Sequence, residues 1–173
     1  VQSQYGFWIL ESARNEGITT LQFQNQGIPG QLASEMKLRL RKLLERNDYD
    51  VVVIMAGSND LGWGHRPDDV FDVLSHLWNE STSKGIKTIA CTIPPIGSRI
   101  PQHQEKQRRL NDRILREGCH IPQLLLADVF WELADKEGIL IPEYNSGDGL
   151  HLSVEGYRRI GEILWENVIR NLV

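Results

Sequence analysis

The stretch Val51-Val52-Val53-Ile54-Met55-Ala56-Gly57-Ser58-Asn59-Asp60 decides the fold. Five consecutive large apolar residues give way at once to small and polar ones. Continuous rather than alternating apolarity predicts a strand buried on both faces, as in a parallel sheet. The Gly-Ser-Asn-Asp run then places a polar turn at the strand's carboxyl end. In open α/β sheets that end is where ligands bind.

The elements on either side extend the pattern. Before it, Leu32, Met36, Leu40, Leu43 and Leu44 form one stripe of an amphipathic helix. After it, a loop runs through Gly64 to Pro67, and Val70, Phe71, Val73, Leu74 and Leu77 mark the next helix. Upstream, Tyr5, Trp8, Ile9 and Ala13 predict a helix ending near Gly17. Thr19 to Gln24 reads as a short strand, and Asn25 to Gly30 as a loop. Downstream come a strand at Lys87 to Thr92, a helix near Gln102 to Glu117, a strand at Leu124 to Ala127 and a short helix from Val129 to Lys136. The last helix starts at Ser153, a suitable cap, with Glu155 in its first turn. Four strands alternating with helices predict a parallel sheet between helical layers in a single domain, residues 1–173.

Composition agrees with that class. The 173 residues are 40% hydrophobic and 24% charged, and the formal net charge is −4. This is ordinary globular composition, and its mild acidity argues against nucleic acid as the main partner. No apolar run approaches the roughly 20 residues of a membrane span. Cys91 and Cys119 lack zinc or CxxC spacing and read as two small buried thiols.

Three constellations fall where the crevice of such a sheet should lie. Asp148-Gly149-Leu150-His151 sets a carboxylate three residues before an imidazole, so the acid can fold back and orient the ring. Glycines at 147 and 149 permit that turn. Gly57-Ser58-Asn59-Asp60 offers the Asn59 amide as a neutral donor suited to an oxyanion. Asn25-Gln26-Gly27-Ile28-Pro29-Gly30 offers backbone N–H groups, but neither GxGxxG nor a Walker ending. Taken singly, each is also a common surface turn.

In order and together, these blocks resemble the SGNH hydrolase family, the GDSL-type esterases and lipases. The resemblance covers essentially the whole chain and implies a flavodoxin-like three-layer α/β/α fold with five parallel strands. It implies that Gly30 and Asn59 form an oxyanion hole and that Asp148 and His151 belong to a Ser-His-Asp triad. Pro94-Pro95-Ile96-Gly97 is similar to a loop often found in the family. The implied reaction is hydrolysis of a small-molecule ester with no metal or organic cofactor. Acyl and alcohol specificity, oligomeric state and compartment are left open.

The family's first block, the GDS sequence that carries the nucleophile, is absent from this sequence. The chain opens on what matches the helix after that block, so the serine and the first strand are expected upstream of Val1. An interior strand lost from the sheet would leave buried backbone groups unpaired, at about 1–3 kcal/mol each. Ser3, Ser12 and Ser58 are poor substitutes. Ser3 has no strand before it, Ser12 sits on a helix, and Gly57-Ser58-Asn59 is not a GxSxG elbow. The rival reading is a non-catalytic module that binds carboxylates or acetylated sugars on the same fold. A flavodoxin-like cofactor or signalling domain is a third, and lacks a phosphate-binding pattern. Trp63, between Gly62 and Gly64, reads equally as a wall of the substrate site or as a packing residue. His65, His76, His103 and His120 are scattered, and Trp78, Trp131 and Trp165 read as core or half-core.

Overall fold

A computed structural model describes residues 2–173. The helices are α1 (Tyr5–Asn15), α2 (Ala33–Arg46), α3 (Ser58–Gly62), α4 (Pro67–Thr82), α5 (Pro101–Gly118), α6 (Phe130–Leu133) and α7 (Val154–Asn167). The strands are β1 (Val51–Ile54), β2 (Lys87–Cys91) and β3 (Leu124–Ala127). The chain forms two compact units. One comprises Ile28–Ile93 and Ile100–Asp128; the other comprises the N-terminal segment to Gly27, Pro94–Arg99 and Val129–Val173.

The first unit holds the sheet. Its strands are parallel in the order β1-β2-β3, with Val51 opposite Lys87 and Thr88 opposite Leu124. Side chains alternate along a strand, so Val52, Ile54, Ala90, Leu124 and Leu126 share one face. They join a core with Leu40 and Leu44 of α2, Phe71, Leu74, Leu77 and Trp78 of α4, and Leu110 and Ile114 of α5. The α4 spacing i, i+3, i+4, i+7 makes that helix the central slab, with Leu74, Leu77 and Trp78 nearly free of solvent. Each such side chain contributes about 1.5–3 kcal/mol by burial. Arg113 on α5 places its guanidinium 4.0 Å from the Phe71 ring centre and pairs with Asp68 at 3.3 Å, fastening α5 to α4. Beyond the end of β2, the buried Asn111 side chain stands in for a neighbouring strand. It accepts from Ile93 N–H at 2.8 Å and donates to the Ile93 carbonyl at 3.0 Å.

The second unit is built on α1 and α7. Gly161 gives the close approach: a Cβ there would sit 2.5 Å from the Trp8 Cβ and 2.7 Å from the Tyr5 carbonyl. Ile9, Ala13, Ile160, Ile163 and Leu164 fill its interior. Trp165 is buried and donates through Nε1 to Glu16 at 2.9 Å. Ser153 caps α7 as expected, its Oγ accepting from Gly156 N–H at 3.1 Å.

Several expectations need correction. The described residues form three strands, not four, because Thr19 to Gln24 pairs with nothing among them. The segment keeps a strand's alternation, with Leu21 and Phe23 half-buried and Gln22 and Gln24 exposed. The Phe23 ring lies over Gly6 and edge-on to Tyr5 at 5.7 Å. Apolar alternation makes a strand only where a ladder partner exists. Val51, Val52 and Val53 are only half-buried, and among the described residues β1 has a ladder partner on one side only. The predicted loop after β1 instead contains helix α3, and the helix predicted over 129–136 shrinks to α6. Trp131 is exposed, with its ring edge-on to the buried Phe130, and Cys119 is exposed too. No helix among the described residues is long and apolar enough to cross a membrane.

Burial pushes the Cys91 thiol up to about 12 from an ordinary 9.0. The neutral thiol is therefore favoured in the folded state. Its contribution to stability is whole below pH of about 9 and is lost as pH rises toward about 12. Urea unfolding of Cys91→Ala is expected to show a shallower alkaline decline than the wild type; parallel declines would contradict the assignment.

Candidate active site

The Asp148–His151 turn lies wholly in the second unit and organises itself. One carboxylate oxygen, Asp148 Oδ1, accepts from the backbone N–H of Leu150 and of His151, each at 2.8 Å, and from Ser146 Oγ at 3.2 Å. The other, Oδ2, meets His151 Nδ1 at 2.5 Å. A carboxylate has only lone pairs to offer, so Nδ1 carries the proton in this contact. The hydrogen bond from the His151 ring, followed by the two backbone N–H groups, holds the Asp148 carboxyl well below the usual carboxylate range. The acid therefore stays ionised through neutral and mildly acidic pH, and the ring stays oriented. His151 is largely exposed, with its side chain at 70%.

The turn is anchored from below. Asn145 Oδ1 accepts from Gly147 N–H at 2.8 Å and Gly149 N–H at 3.0 Å. Asn145 bridges Leu152 as an antiparallel pair, and Ser146 N–H donates to the His151 carbonyl at 2.9 Å. The glycines at 147 and 149 take φ of 109° and 77°, as the turn demanded. Gly97, in the Pro94–Arg99 loop, donates to the Gly149 carbonyl at 2.7 Å. A Cβ on Gly97 would stand 3.0 Å from Gly149 Cα, a contact with backbone that cannot swing aside.

Gly30 and Asn59 lie in the other unit, and the structure brings them together. Asn59 Nδ2 donates to the carbonyl of Gln31, the residue after Gly30, at 3.0 Å. One amide proton is spent on that bond, and the second has no acceptor among the described residues. The Gly30 N–H likewise has none, and Gly30 adopts φ 76° in a turn closed by Gln31 N–H to the Ile28 carbonyl at 3.2 Å. Asn59 sits in α3, whose N-cap is Gly57. Gly57 has φ 120°, and a Cβ there would meet Leu110 at 3.0 Å and Val70 at 3.2 Å. Only glycine suits a position both left-handed and crowded.

One residue was not singled out from the sequence. Asp60 is 2% exposed, and both of its carboxylate oxygens accept from Ala33 N–H, at 3.1 and 3.3 Å. Ala33 is the first residue of α2, so a buried negative charge sits on that helix's positive end. The bond pins the 28–32 turn against α3 and thereby sets Gln31 before Asn59. The sequence signal was the fourth letter of Gly57-Ser58-Asn59-Asp60, to which no role had been given.

A family model for the GDSL-like lipases and acylhydrolases matches residues 4–159. The chain belongs to that hydrolase family. Among solved structures it is similar to a GDSL-like lipase from Bacteroides thetaiotaomicron VPI-5482, at 21% identity and a TM-score of 0.78. That match covers 98% of this chain and 83% of the lipase. It is also similar to the acetyl xylan esterase AlAXEase, at 23% identity, TM-score 0.77, and 98% and 92% coverage. TesA matches at 20% identity, TM-score 0.78, and 99% and 90% coverage. No curated protein sequence matches significantly. The structural likeness establishes the expected fold class, a three-layer α/β/α architecture with a parallel sheet. Among the described residues no group of three His, Cys, Asp or Glu side chains could hold a metal ion.

Two outcomes follow from these contacts. Asp60→Ala removes both acceptors of the buried Ala33 N–H and is expected to cost about 1–3 kcal/mol. Amide exchange at Ala33 should accelerate with it, and unchanged exchange and stability would remove Asp60 from its positioning role. Gly97→Ala should displace residues 147–151 while leaving the α1–α7 packing intact, seen as chemical-shift changes confined to that turn; undisturbed shifts there would contradict the close approach.

Proposed function

We propose that this GDSL-family protein is a serine ester hydrolase whose His151 and Asp148 serve a triad and whose Gly30 and Asn59 form the oxyanion hole. The nucleophile in this reading is a serine upstream of Val1. The observation that carries the proposal is the Asp148 carboxylate, which grips the His151 ring with one oxygen and its backbone with the other.

The chemistry runs in order. His151 Nε2, left basic by the Nδ1 bond to Asp148, takes the serine proton as its oxygen attacks the ester carbonyl. The carbonyl π pair moves to oxygen, and the resulting oxyanion is met by the Gly30 N–H and the free Asn59 amide proton. Both donors are positioned before the charge appears, which is what makes such groups effective. Collapse expels the alcohol, which receives the proton from imidazolium. Water then repeats the sequence against the acyl-enzyme. Asp148 keeps its negative charge throughout and stabilises the imidazolium. The esterases among the structural neighbours are consistent with this class of reaction.

Steady-state hydrolysis of short-chain esters by the full-length protein tests the roles. Asn59→Ala is expected to lower kcat roughly 10²–10³-fold. His151→Ala is expected to lose nearly all turnover while its thermal unfolding stays near that of the wild type. Retained turnover in His151→Ala would sink the triad, and ligand binding without turnover in the wild type would favour the binding-module reading instead.

A further inference from the structure

Trp63 is the most exposed large apolar side chain among the described residues, at 77%. An indole left in water forfeits much burial free energy, so its position calls for a reason. Packing within the fold is not that reason, because so little of the residue is covered.

Its position relative to Asn59 supplies one. Trp63 closes α3 with helical φ −79° and ψ 0°, and its backbone N–H donates to the Asn59 carbonyl at 2.9 Å. Residues four apart on a helix lie on one face, about 5–6 Å apart at Cβ. Asp60 and Leu61 point inward and are buried, whereas Ser58, Asn59, Gly62 and Trp63 are exposed. Gly62 flanks that face, and a Cβ built on it would meet nothing within 4 Å. Gly64 is equally open. The helix thus presents a hydrogen-bond donor and an aromatic wall with a bare strip of backbone beside them.

We infer that Trp63 is a specificity-determining residue of the Asn59 site, stacking against a flat aromatic or C–H-rich ring attached to the ester that Asn59 polarises. This deepens the esterase reading and rests on it for the word ester. The recognition itself does not need turnover. A ring one or two bonds from a carbonyl oxygen held by Asn59 reaches the indole past Gly62, and a small alkyl group does not fill that span. Aromatic stacking favours the ring-bearing ligand by about 3- to 10-fold.

Two measurements on the full-length protein decide it. In the first, kcat/KM for phenyl acetate and ethyl acetate is compared in wild type, Trp63→Ala and Trp63→Phe. Trp63→Ala is expected to lose about 3- to 10-fold more on phenyl acetate than on ethyl acetate, mainly through KM, with Trp63→Phe recovering most of the difference. Equal losses on both esters, or none, overturn the inference. In the second, acetophenone, a ring-bearing ketone that is not hydrolysed, is titrated while the Trp63 indole N–H signal is followed by NMR. Trp63→Phe assigns the signal by removing it. A saturating shift of that signal supports the inference even if neither ester is turned over, in which case it is the esterase reading that fails. An indole signal that does not move overturns it.

Discussion

The bond from Ala33 N–H to the buried Asp60 carboxylate is the constraint on which the meeting of Asn59 with the 28–32 turn depends. A helix begins with N–H groups that have no partner within it. Here one of them is met by a carboxylate from a different helix, 27 residues along the chain. The same contact satisfies a buried charge, ends the 28–32 turn and holds α2 against α3. Asn59 then finds the Gln31 carbonyl, so one amide proton is anchored and the other is aimed. Removing Asp60 would leave every donor present and none of them placed.

The acid–base pair follows a different logic. Asp148 and His151 are three residues apart, and every hydrogen bond that arranges them comes from within 145–152 or from Gly97. The turn is local apart from the contact with Gly97, its anchor from a distant part of the sequence. Its exposure is the corresponding cost, since solvent competes with the pair on all sides. A strong carboxylate–imidazole contact reinforced by backbone donors is what keeps the ring oriented there. Gly30 and Asn59, by contrast, come from a turn and from helix α3, joined through the buried Asp60.

This contrast explains what was legible in the sequence. Asp148, His151, Asn59 and Gly30 stand out through the ordered blocks that resemble the SGNH family, since each motif taken singly is also a common surface turn. Asp60 could not be given a role, because its partner is an amide far away in sequence. Helix α3 is invisible in the sequence because its five residues, Ser58 to Gly62, contain no periodic apolar stripe. The β-branched and aromatic residues of Thr19 to Gln24 suggest a strand, yet strand pairing is a property of two segments, and none of the described residues supplies the second. The apolar run Val51–Val53 suggests burial on both faces, whereas these residues are half-buried, with β2 as the ladder partner of β1 among the described residues. Trp63 was ambiguous from sequence alone; its exposure and its place one turn beyond Asn59 separate a wall from a core residue.

The central claim is that His151 activates a serine for attack on an ester carbonyl. Fluorophosphonate labelling of the full-length protein, with the adduct mapped by mass spectrometry, tests it most directly. The account predicts one adduct, on a serine upstream of Val1, that forms at least a hundredfold more slowly in His151→Ala, on the order expected for loss of a general base. No adduct, an adduct on a serine within residues 1–173, or labelling that proceeds undiminished without His151 would contradict it.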